Sequence, residues 1–396
     1  MLDSLMSGVA GLGKSTWQAM LHYTAVLHKK CIHSAQYPLP YEWEEIGTGY
    51  CYGPGFGHWD IVHAMWDEVQ FEPEHDRKQI LNNLALQQAD GLIEGCVYIR
   101  DNKFNCTGRR TVGHPPLWQT VVDEYCRVTA SNAILPPCYA AIKKLIRWFE
   151  ENRAIRPAGF YYLDARNTKK FESGIDEGIR FLNIGDSPFS CVDATSHMYS
   201  LYRHADQWGK LLGIPGDEYG QKADELREFI QNRLFCPKSG FFHDDRMEKC
   251  LSFEGMWPVV VGAATPEQAN RVIDDNLLNP NRFFTPHPIS TVSQSDGRFE
   301  LRMWRGPAWN SMTYWAARGC MRYGRADAAK LLLENALDST AEQFARTGTI
   351  WEFYHPFKGE QTALQRKPER AYNTPCRDYL GHNPLIAMAL LWEKAR

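Results

Sequence analysis

Two segments far apart in the chain carry the carboxylates best suited to acid and base chemistry. Residues 172–176 read Glu-Ser-Gly-Ile-Asp, and residues 351–356 read Trp-Glu-Phe-Tyr-His-Pro. Each places a carboxylate among aromatic or glycine residues, which is typical of a loop that holds a sugar ring and protonates its glycosidic bond. The two segments therefore predict a carbohydrate-processing pocket.

A third segment, residues 57–60, reads Gly-His-Trp-Asp and combines an aromatic face with an ionisable acceptor. The indole of Trp59 can stack on the apolar face of a pyranose while Asp60 accepts hydrogen bonds from two adjacent hydroxyls. The structural alternative is that Asp60 caps a helix that begins at Ile61. The presence of the other loops favours a sugar contact.

A fourth segment, residues 303–309, places Trp304, Arg305 and Trp309 around a Gly-Pro turn. Such a turn fixes the backbone, so that the three side chains can project from one loop. Arg305 could orient a catalytic carboxylate through a bidentate pair, or bind an anion of the substrate. The alternative is a tryptophan-rich core corner at the start of a helix.

The segments at residues 172–176 and 351–356 each also have a purely structural interpretation, in which they form no site. Glu172 and Asp176 are one helical turn apart, but the intervening Ser-Gly favours a loop that enters a helix. For Glu352, the alternative to a dry wall formed by Trp351 and Tyr354 is a solvated glutamate in a surface hairpin.

The composition excludes several functional classes. The 396 residues carry a net charge of −3 with no basic cluster longer than a pair, so we expect no nucleic-acid partner. The apolar runs are too short to cross a membrane, and the first residues lack the basic region of a signal peptide, which favours the cytoplasm. A glycosylation sequon at residues 105–107 is expected to stay unused without such a signal.

The eleven cysteines show no spacing typical of a zinc site, so we expect neither a metal nor a cofactor. Residues 8–15 match the phosphate-binding pattern Gly-x4-Gly-Lys-Ser, but only seven residues precede them and none forms a β-branched run. We therefore expect a mixed-polarity N-terminal helix there. The expected partner is a small carbohydrate, and the sequence leaves the oligomeric state open.

Apolar residues at helical spacing dominate the rest of the chain, and strand-like alternation is confined to short pieces such as residues 240–243. The helices should alternate between short turns and long loops, as in a toroid of helical hairpins with the long loops on one face. No linker divides the chain, which favours one domain over residues 1–396. The predicted helices span residues 76–89, 117–130, 133–151, 194–212, 217–234, 266–278, 309–323, 326–345 and 384–394.

These loops resemble, in the same order, those of glycoside hydrolase family 63 and its trehalase-like relatives. The resemblance rests on the four segments above and on residues 88–91, Gln-Ala-Asp-Gly. It implies an all-α, (α/α)6 barrel with an exo-acting pocket, in which Asp176 is the general acid and Glu352 the general base. It also implies that the substrate is bound by Trp59, Asp60, Gln88, Glu172, Trp304, Arg305, Trp309 and Tyr354.

The expected reaction is the hydrolysis of a terminal α-linked hexose, preferably glucose, with inversion of configuration. The chain departs from the family where residues 176–180 read Asp-Glu-Gly-Ile-Arg and where residues 381–384 read Gly-His-Asn-Pro, which affects the sugar contacts more than the reaction class. Two alternatives remain on the same fold. One is an epimerase or lyase, where an epimerase would depend on His58 or His355, and the other is a sugar-binding protein without activity.

Overall fold

The computed structural model describes residues 2–100, 103–104, 112–168, 171–214 and 218–396. The sequon at residues 105–107 lies outside these ranges. Thirteen α-helices occupy the described residues, with seven short strands between them. The helices are α1 (Asp3–Gly8), α2 (Gln18–Lys30), α3 (Asp60–Glu68), α4 (Pro73–Ala85), α5 (Trp118–Thr129), α6 (Leu135–Asn152), α7 (Val192–Leu211), α8 (Tyr219–Phe229), α9 (Trp257–Val261), α10 (Pro266–Val272), α11 (Asn310–Arg322), α12 (Ala326–Thr347) and α13 (Leu385–Lys394).

The strands form three small antiparallel sheets outside the helical layers. They pair β1 (Ile32–His33) with β2 (Trp43–Glu44), β3 (Gly55–Gly57) with β4 (Cys96–Arg100) and β5 (Lys103–Phe104), and β6 (Phe235–Cys236) with β7 (Phe241–Phe242). The last pair confirms the hairpin expected at residues 240–243. All three sheets lie in connections between helices.

The helices from α2 onward alternate between an outer and an inner ring. The inner helices α3, α5, α7, α9, α11 and α13 contact one another in sequence order, and α13 closes the ring against α3. The contact between α5 and α7 includes a hydrogen bond from Gln119 Nε2 to Ser200 Oγ and the indoles of Trp118 and Trp208. The even-numbered helices pack outside. The prediction of an (α/α)6 barrel is therefore confirmed.

Burial of these helices follows from their position. All nine residues of α3 are buried, because this inner helix is covered on every side. The outer helix α6 instead buries one stripe, which includes Tyr139, Ile142 and Ile146, and its first turn accommodates the two prolines at residues 136–137. α10 begins with the capping box of Thr265 and Gln268.

The connections differ systematically in length. Each inner helix leads to the next outer one through a short turn, as at residues 69–72, 130–134 and 323–325. Each outer helix leads to the next inner one through a long connection, as at residues 153–191 and 348–384. Since these long segments all precede the N-terminus of an inner helix, they gather at one end of the barrel.

The expected N-terminal helix over residues 8–15 is wrong beyond Gly8, where α1 ends. Gly11 and Gly13 adopt positive φ in the turn that follows. Lys14 Nζ then pairs with Asp338 at 2.8 Å and with Glu334 at 2.7 Å on α12. The lysine of the phosphate-binding pattern thus serves as a tether between the N-terminal segment and the outer ring.

None of the described helices is both long and apolar enough to span a membrane. The ten cysteines within the described residues are all free thiols.

Candidate active site

A cavity of about 460 Å³ opens at the end of the barrel where the long connections meet. Its wall draws side chains from segments that are far apart in sequence, including Asp60, His114, Asp176, Trp304, Glu352 and Lys367. Asp176 and Glu352, predicted as acid and base, therefore face the same space. The cavity also receives Trp59 and Trp309 from the predicted set.

Asp176 lies in a tight loop between α6 and α7. Gly174 has a φ of 70°, and the non-glycine residues Phe171 and Glu177 also adopt positive φ, at 57° and 61°. Backbone conformations of this kind cost free energy and recur where a loop must aim a side chain. The carboxylate of Asp176 is 18% exposed, and Lys367 Nζ donates a hydrogen bond to its Oδ2.

Burial disfavours the charge on Lys367, but the Asp176 carboxylate outweighs that effect and raises the pKa of the lysine above its ordinary value. The ammonium group also lies 4.9 Å from the centre of the Phe171 ring, within the range of a cation–π contact. Lys367 is thus a cation that is held beside the Asp176 carboxylate in the wall of the cavity.

Glu352 is held more tightly than Asp176. Arg366 Nε donates to both carboxylate oxygens, at 3.0 Å and 2.7 Å, and the backbone N–H of Cys376 donates to Oε2 at 3.1 Å. Both partners of the ion pair are only 2% exposed. Charge-assisted hydrogen bonds of this kind fix the orientation of the carboxylate. The alternative of a solvated glutamate in a surface hairpin is therefore wrong.

The two cations that hold these carboxylates, Arg366 and Lys367, are adjacent in the sequence, and the sequence analysis missed both. The signal was present: residues 364–370 read Leu-Gln-Arg-Lys-Pro-Glu-Arg, an Arg-Lys pair followed by a further arginine, in the same connection as the predicted base Glu352. Buried carboxylates need counter-charges, so such a cluster is a sign of acidic partners nearby.

Asp60 forms the floor of the cavity. Tyr379 OH donates to its Oδ1 at 3.0 Å. A Cβ atom built on either Gly57 or Gly381 would overlap the carboxylate, so two glycine backbones enclose it. Burial, with smaller contributions from the charges of Glu352 and Asp176, raises the pKa of Asp60 to about 7.

The helix-capping alternative for Asp60 is wrong. α3 begins at Asp60 itself, with Trp59 in the preceding cap position and no side-chain cap bond. The aspartate instead faces the cavity with its oxygens directed to Tyr379 and the glycine backbones.

Stacked aromatic rings form one wall of the cavity. The indoles of Trp304 and Trp309 stack 3.7 Å apart with 6° between their planes, and Phe253 and Phe353 cover their outer faces at 5.6 Å and 4.9 Å. Because other rings cover both faces of each indole, only ring edges and indole perimeters remain to contact a ligand. The loop thus serves as a core corner and as a cavity wall at the same time.

His382 joins this wall to the floor. Its ring lies 4.8 Å from both Trp59 and Trp309, and Nδ1 is 2.7 Å from Ser311 Oγ. Burial and the neighbouring His63 and His114 lower its pKa well below the ordinary value, so the imidazole is neutral at neutral pH.

Four of the predicted substrate contacts do not line the cavity. Glu172 is fully buried in an ion pair with Arg153, at 2.7 Å and 2.8 Å, and accepts the N–H of Leu163 at 2.6 Å. Gln88 donates to Glu94 at 3.1 Å. The hydroxyl of Tyr354 accepts the N–H of Trp351 at 3.0 Å.

Arg305, the fourth, contacts the connection that carries Asp176. Its Nε donates to the carbonyl of Glu177 at 2.8 Å, and its Nη1 pairs with Glu300 at 3.1 Å. The pairing with a carboxylate in the cavity that was considered for Arg305 is made by Arg366 instead, through Nε alone. Arg305 therefore positions the backbone beside Asp176.

The barrel, with a cavity at the mouth of its inner ring that receives the carboxylates of Asp176 and Glu352, has the architecture of a glycoside hydrolase. The comparisons with known proteins agree with this class. The model of the mannosylglycerate hydrolase MGH1-like glycoside hydrolase domain matches residues 53–374. The chain belongs to this glycoside hydrolase family, and the resemblance to family 63 is confirmed.

Solved structures show the same fold at low sequence identity. The family 63 mannosylglycerate hydrolase from Thermus thermophilus, solved in complex with glucose, is 16% identical, with a TM-score of 0.67 over 93% of this chain and 98% of that one. The same enzyme has been solved with Tris and D-glycerate. The neutral trehalase from Saccharomyces cerevisiae is 14% identical, with a TM-score of 0.68 over 92% of this chain and 76% of that one.

Proposed function

We propose that this glycoside hydrolase removes a terminal α-linked hexose from a small glycoside with inversion of configuration. Asp176 protonates the departing glycosidic oxygen, while Glu352 takes a proton from a water molecule that attacks C1 on the opposite face of the ring. This mechanism requires carboxyl groups roughly 6.5–9.5 Å apart, enough to accommodate the sugar and the water. The observation that carries the proposal is that both carboxylates line one cavity, each with its own cation.

The different environments of the two acids support the division of roles. Glu352 is almost inaccessible and accepts three hydrogen bonds from Arg366 and Cys376, an arrangement that fixes the orientation of its carboxylate toward a water molecule. Asp176 is more exposed and binds Lys367 through Oδ2, so it can reach a leaving group at the cavity mouth. In this proposal the incoming glycoside takes the place of the ammonium beside Asp176, and the carboxyl group, no longer paired with a cation, takes a proton from solvent before it donates that proton to the glycosidic oxygen.

The enclosed floor supports exo action on a terminal sugar. Asp60 faces the cavity between two glycine backbones, and Trp59 lies beside it. A hexose that enters with its non-reducing end first would place adjacent hydroxyls on the Asp60 oxygens. A longer chain could not pass through this floor, because α3 and residues 379–382 close it.

Cations at the rim support an anionic leaving group. Arg370 lines the cavity with an exposed side chain, close in sequence to Lys367. The Thermus enzyme of the same fold has been solved with D-glycerate, a carboxylate of the size that this rim could hold. We therefore propose a glucosyl or mannosyl glycerate, or a glycoside of similar size and charge, as substrate.

The epimerase alternative has little support. His58 is buried with Nδ1 2.7 Å from Asn83 Oδ1, and burial lowers its pKa to about 4. Neither His58 nor His355 is among the residues that line the cavity. The acids, and not these histidines, occupy the position where a sugar would react.

Proton NMR of fresh hydrolysate tests the proposal. Purified protein is incubated with α-glucosylglycerate, α-mannosylglycerate and the neutral control α-glucosylglycerol, and the anomeric signal is recorded before mutarotation. We expect the β-anomer first from one of the glycerates, and Asp176→Asn and Glu352→Gln should each abolish turnover. Appearance of the α-anomer first, or unchanged turnover in Asp176→Asn, would contradict the mechanism; faster cleavage of the neutral glycoside would contradict the anionic leaving group.

A further inference from the structure

A second cluster of titratable side chains lies inside the protein, at the opposite end of α3 from Asp60. It is formed where α2, β2, α3 and α4 meet. Its members are His28, Glu44, Asp67, Glu68, His75 and Asp76, all of them buried. An α-helix rises about 1.5 Å per residue, so Glu68 lies roughly 12 Å along α3 from Asp60, and the cluster is separate from the cavity.

Two carboxylates in this cluster each face both imidazoles. His28 Nδ1 lies 2.7 Å from Glu44 Oε1 and 3.6 Å from Glu68 Oε1. His75 Nε2 lies 3.4 Å from Glu44 Oε2 and 3.7 Å from Glu68 Oε2. The donor atoms of His28, Glu44 and Glu68 all lie within 4.8 Å of one another. Nitrogen and oxygen ligands thus converge from three different elements.

The carboxylate of Glu68 lies 3.6 Å and 3.7 Å from the two imidazoles, beyond hydrogen-bonding distance. Its side chain is inaccessible to solvent, yet among the described residues neither of its oxygens accepts a hydrogen bond. Both oxygens of the buried Asp76 also lack a hydrogen-bond partner among the described residues. An unsatisfied buried carboxylate is costly, so buried acids are normally paired or coordinate a metal.

The cluster holds more acidic groups than basic ones. Glu44, Asp67, Glu68 and Asp76 would contribute four negative charges when ionised, and two imidazolium groups would return only two positive ones. Outside the cluster, Lys78 lies 3.0 Å from Glu42. With all four acids ionised, one divalent cation would offset the remaining charge of −2.

The Nε2 nitrogen of His28 has the kind of carboxylate partner that a metal-binding histidine usually has. Its Nε2 lies 3.2 Å from Asp67 Oδ2, and Asp67 Oδ1 accepts the N–H of Ala387 at 2.7 Å. A carboxylate that accepts the distal N–H of a histidine fixes the tautomer and directs the other nitrogen toward a metal. Nδ1 of His28 is the nitrogen that faces Glu44 and Glu68.

We propose that His28, Glu44 and Glu68 bind one divalent transition-metal ion, with His75 within reach as a further ligand. Mixed imidazole and carboxylate ligands favour Zn²⁺, Mn²⁺ or Fe²⁺ over Ca²⁺ or Mg²⁺, which prefer oxygen alone. The ion would join α2, β2 and α3 and so hold the helix whose first residue is Asp60. Its role is structural, and it does not depend on the proposed hydrolytic mechanism.

Metal content of the intact protein is the direct test. Protein purified without chelator is analysed by inductively coupled plasma mass spectrometry, and protein stripped with a chelator is then titrated with ZnCl2 or MnCl2 by calorimetry. We expect about one ion per chain and a metal-dependent rise of the melting temperature, because an ion bound only by the folded state stabilises it. Co²⁺ added to the stripped protein should give visible absorption bands.

Glu68→Gln and Glu44→Gln should lose the ion, the Co²⁺ bands and the metal-dependent rise in melting temperature. The matched control is Glu45→Gln, which alters the neighbouring buried carboxylate that pairs with His33 at 3.3 Å, and it should retain all three. Stripped wild-type protein that binds neither Zn²⁺ nor Mn²⁺, and whose melting temperature does not respond to either, would overturn the inference without reference to any variant. That outcome would indicate a cluster that shares protons instead.

Discussion

Arg366 and Lys367 are neighbours in the chain, but the ion pairs they form differ in burial. Arg366 and Glu352 are both nearly inaccessible, whereas Asp176 retains contact with solvent. Removal of one partner from a buried pair leaves the other charged and unpaired, which is much more costly than the loss of a pair that water can reach.

We therefore expect Arg366→Met to lower the free energy of unfolding by about 3–5 kcal/mol and to abolish activity. Lys367→Met should lower stability much less, while its turnover falls. Urea denaturation and steady-state kinetics on both variants measure the difference. Arg346→Met, which removes an exposed pair with Glu360 at 3.8 Å, is the control and should match wild type. Equal losses of stability in the Arg366 and Lys367 variants would refute this view of the site.

Asp60 makes the stability of the folded protein depend on pH. Its pKa is about 7 in the folded protein and close to its ordinary value when unfolded, so the folded state holds the proton more tightly. The resulting stabilisation is complete below about pH 4 and is lost as the pH rises to about 7, at roughly 1.4 kcal/mol for each pH unit between the two pKa values.

Asp60→Asn should remove this dependence. The variant should be more stable than wild type at pH 8 and similar to it at pH 4, with lower affinity for sugar because a neutral amide replaces the ionised acceptor. Urea midpoints of both proteins from pH 4 to pH 8 provide the measurement. A constant difference across that range would show that Asp60 titrates normally.

Among the elements, those with one buried stripe were the most predictable. The predicted helix over residues 133–151 is found as α6, and the predicted start at Pro266 is the start of α10. α3 offered no such stripe, since it is buried on all sides, and α9 has only five residues. The helices predicted over residues 217–234 and 266–278 extend past the ends of α8 and α10. Each of these α-helices continues into a wider π-helical turn, which sequence periodicity does not distinguish from an α-helix.

The residue types of the site loops were predictable from the sequence, but the partners that their side chains contact were not. Sequence motifs drew attention to Asp60, Asp176 and Glu352, which the fold brings to one cavity. Glu172 stands in the same motif as Asp176, yet it turns inward to Arg153, a residue from the end of α6 that no local pattern connects to it. Such pairings depend on the packing of the long connections, and local sequence does not encode that packing.

The loop that carries Asp176 depends on Gly174. The φ of 70° suits glycine, and a Cβ atom there would come within 2.7 Å of the Trp59 indole. Gly174→Ala should therefore displace Asp176 and lower kcat/KM roughly tenfold or more, equivalent to about 1.4 kcal/mol. Gly185→Ala, where an added Cβ would contact nothing within 4 Å, is the control in the same connection. Equal kinetics in the two variants would show that the loop tolerates the displacement.

On the scale of the whole molecule, the ring of inner helices favours a single catalytic domain over residues 1–396. One hydrophobic cluster runs from Leu2 to Ala395. The two ends of the described chain also meet, because the rings of Trp17 and Trp392 lie 5.0 Å apart and Gly13 N–H donates to Glu393 at 3.2 Å. We propose that the barrel folds as one unit.

A single unit should unfold in one cooperative transition. Tryptophan fluorescence, which reports mainly on the inner wall, and far-ultraviolet circular dichroism, which reports on all helices, should give coincident urea curves. Two separated transitions would mean that part of the ring unfolds alone. The measurement requires metal-saturated protein, so that loss of an ion does not divide the transition.

The glycines that enclose Asp60 restrict how this family member could diversify. Gly57 and Gly381 perform no chemistry, yet any larger residue at either position would expel the aspartate. New sugar preferences would therefore arise by changes at the entrance, at exposed residues such as Arg370, while the deepest part of the pocket stays the same.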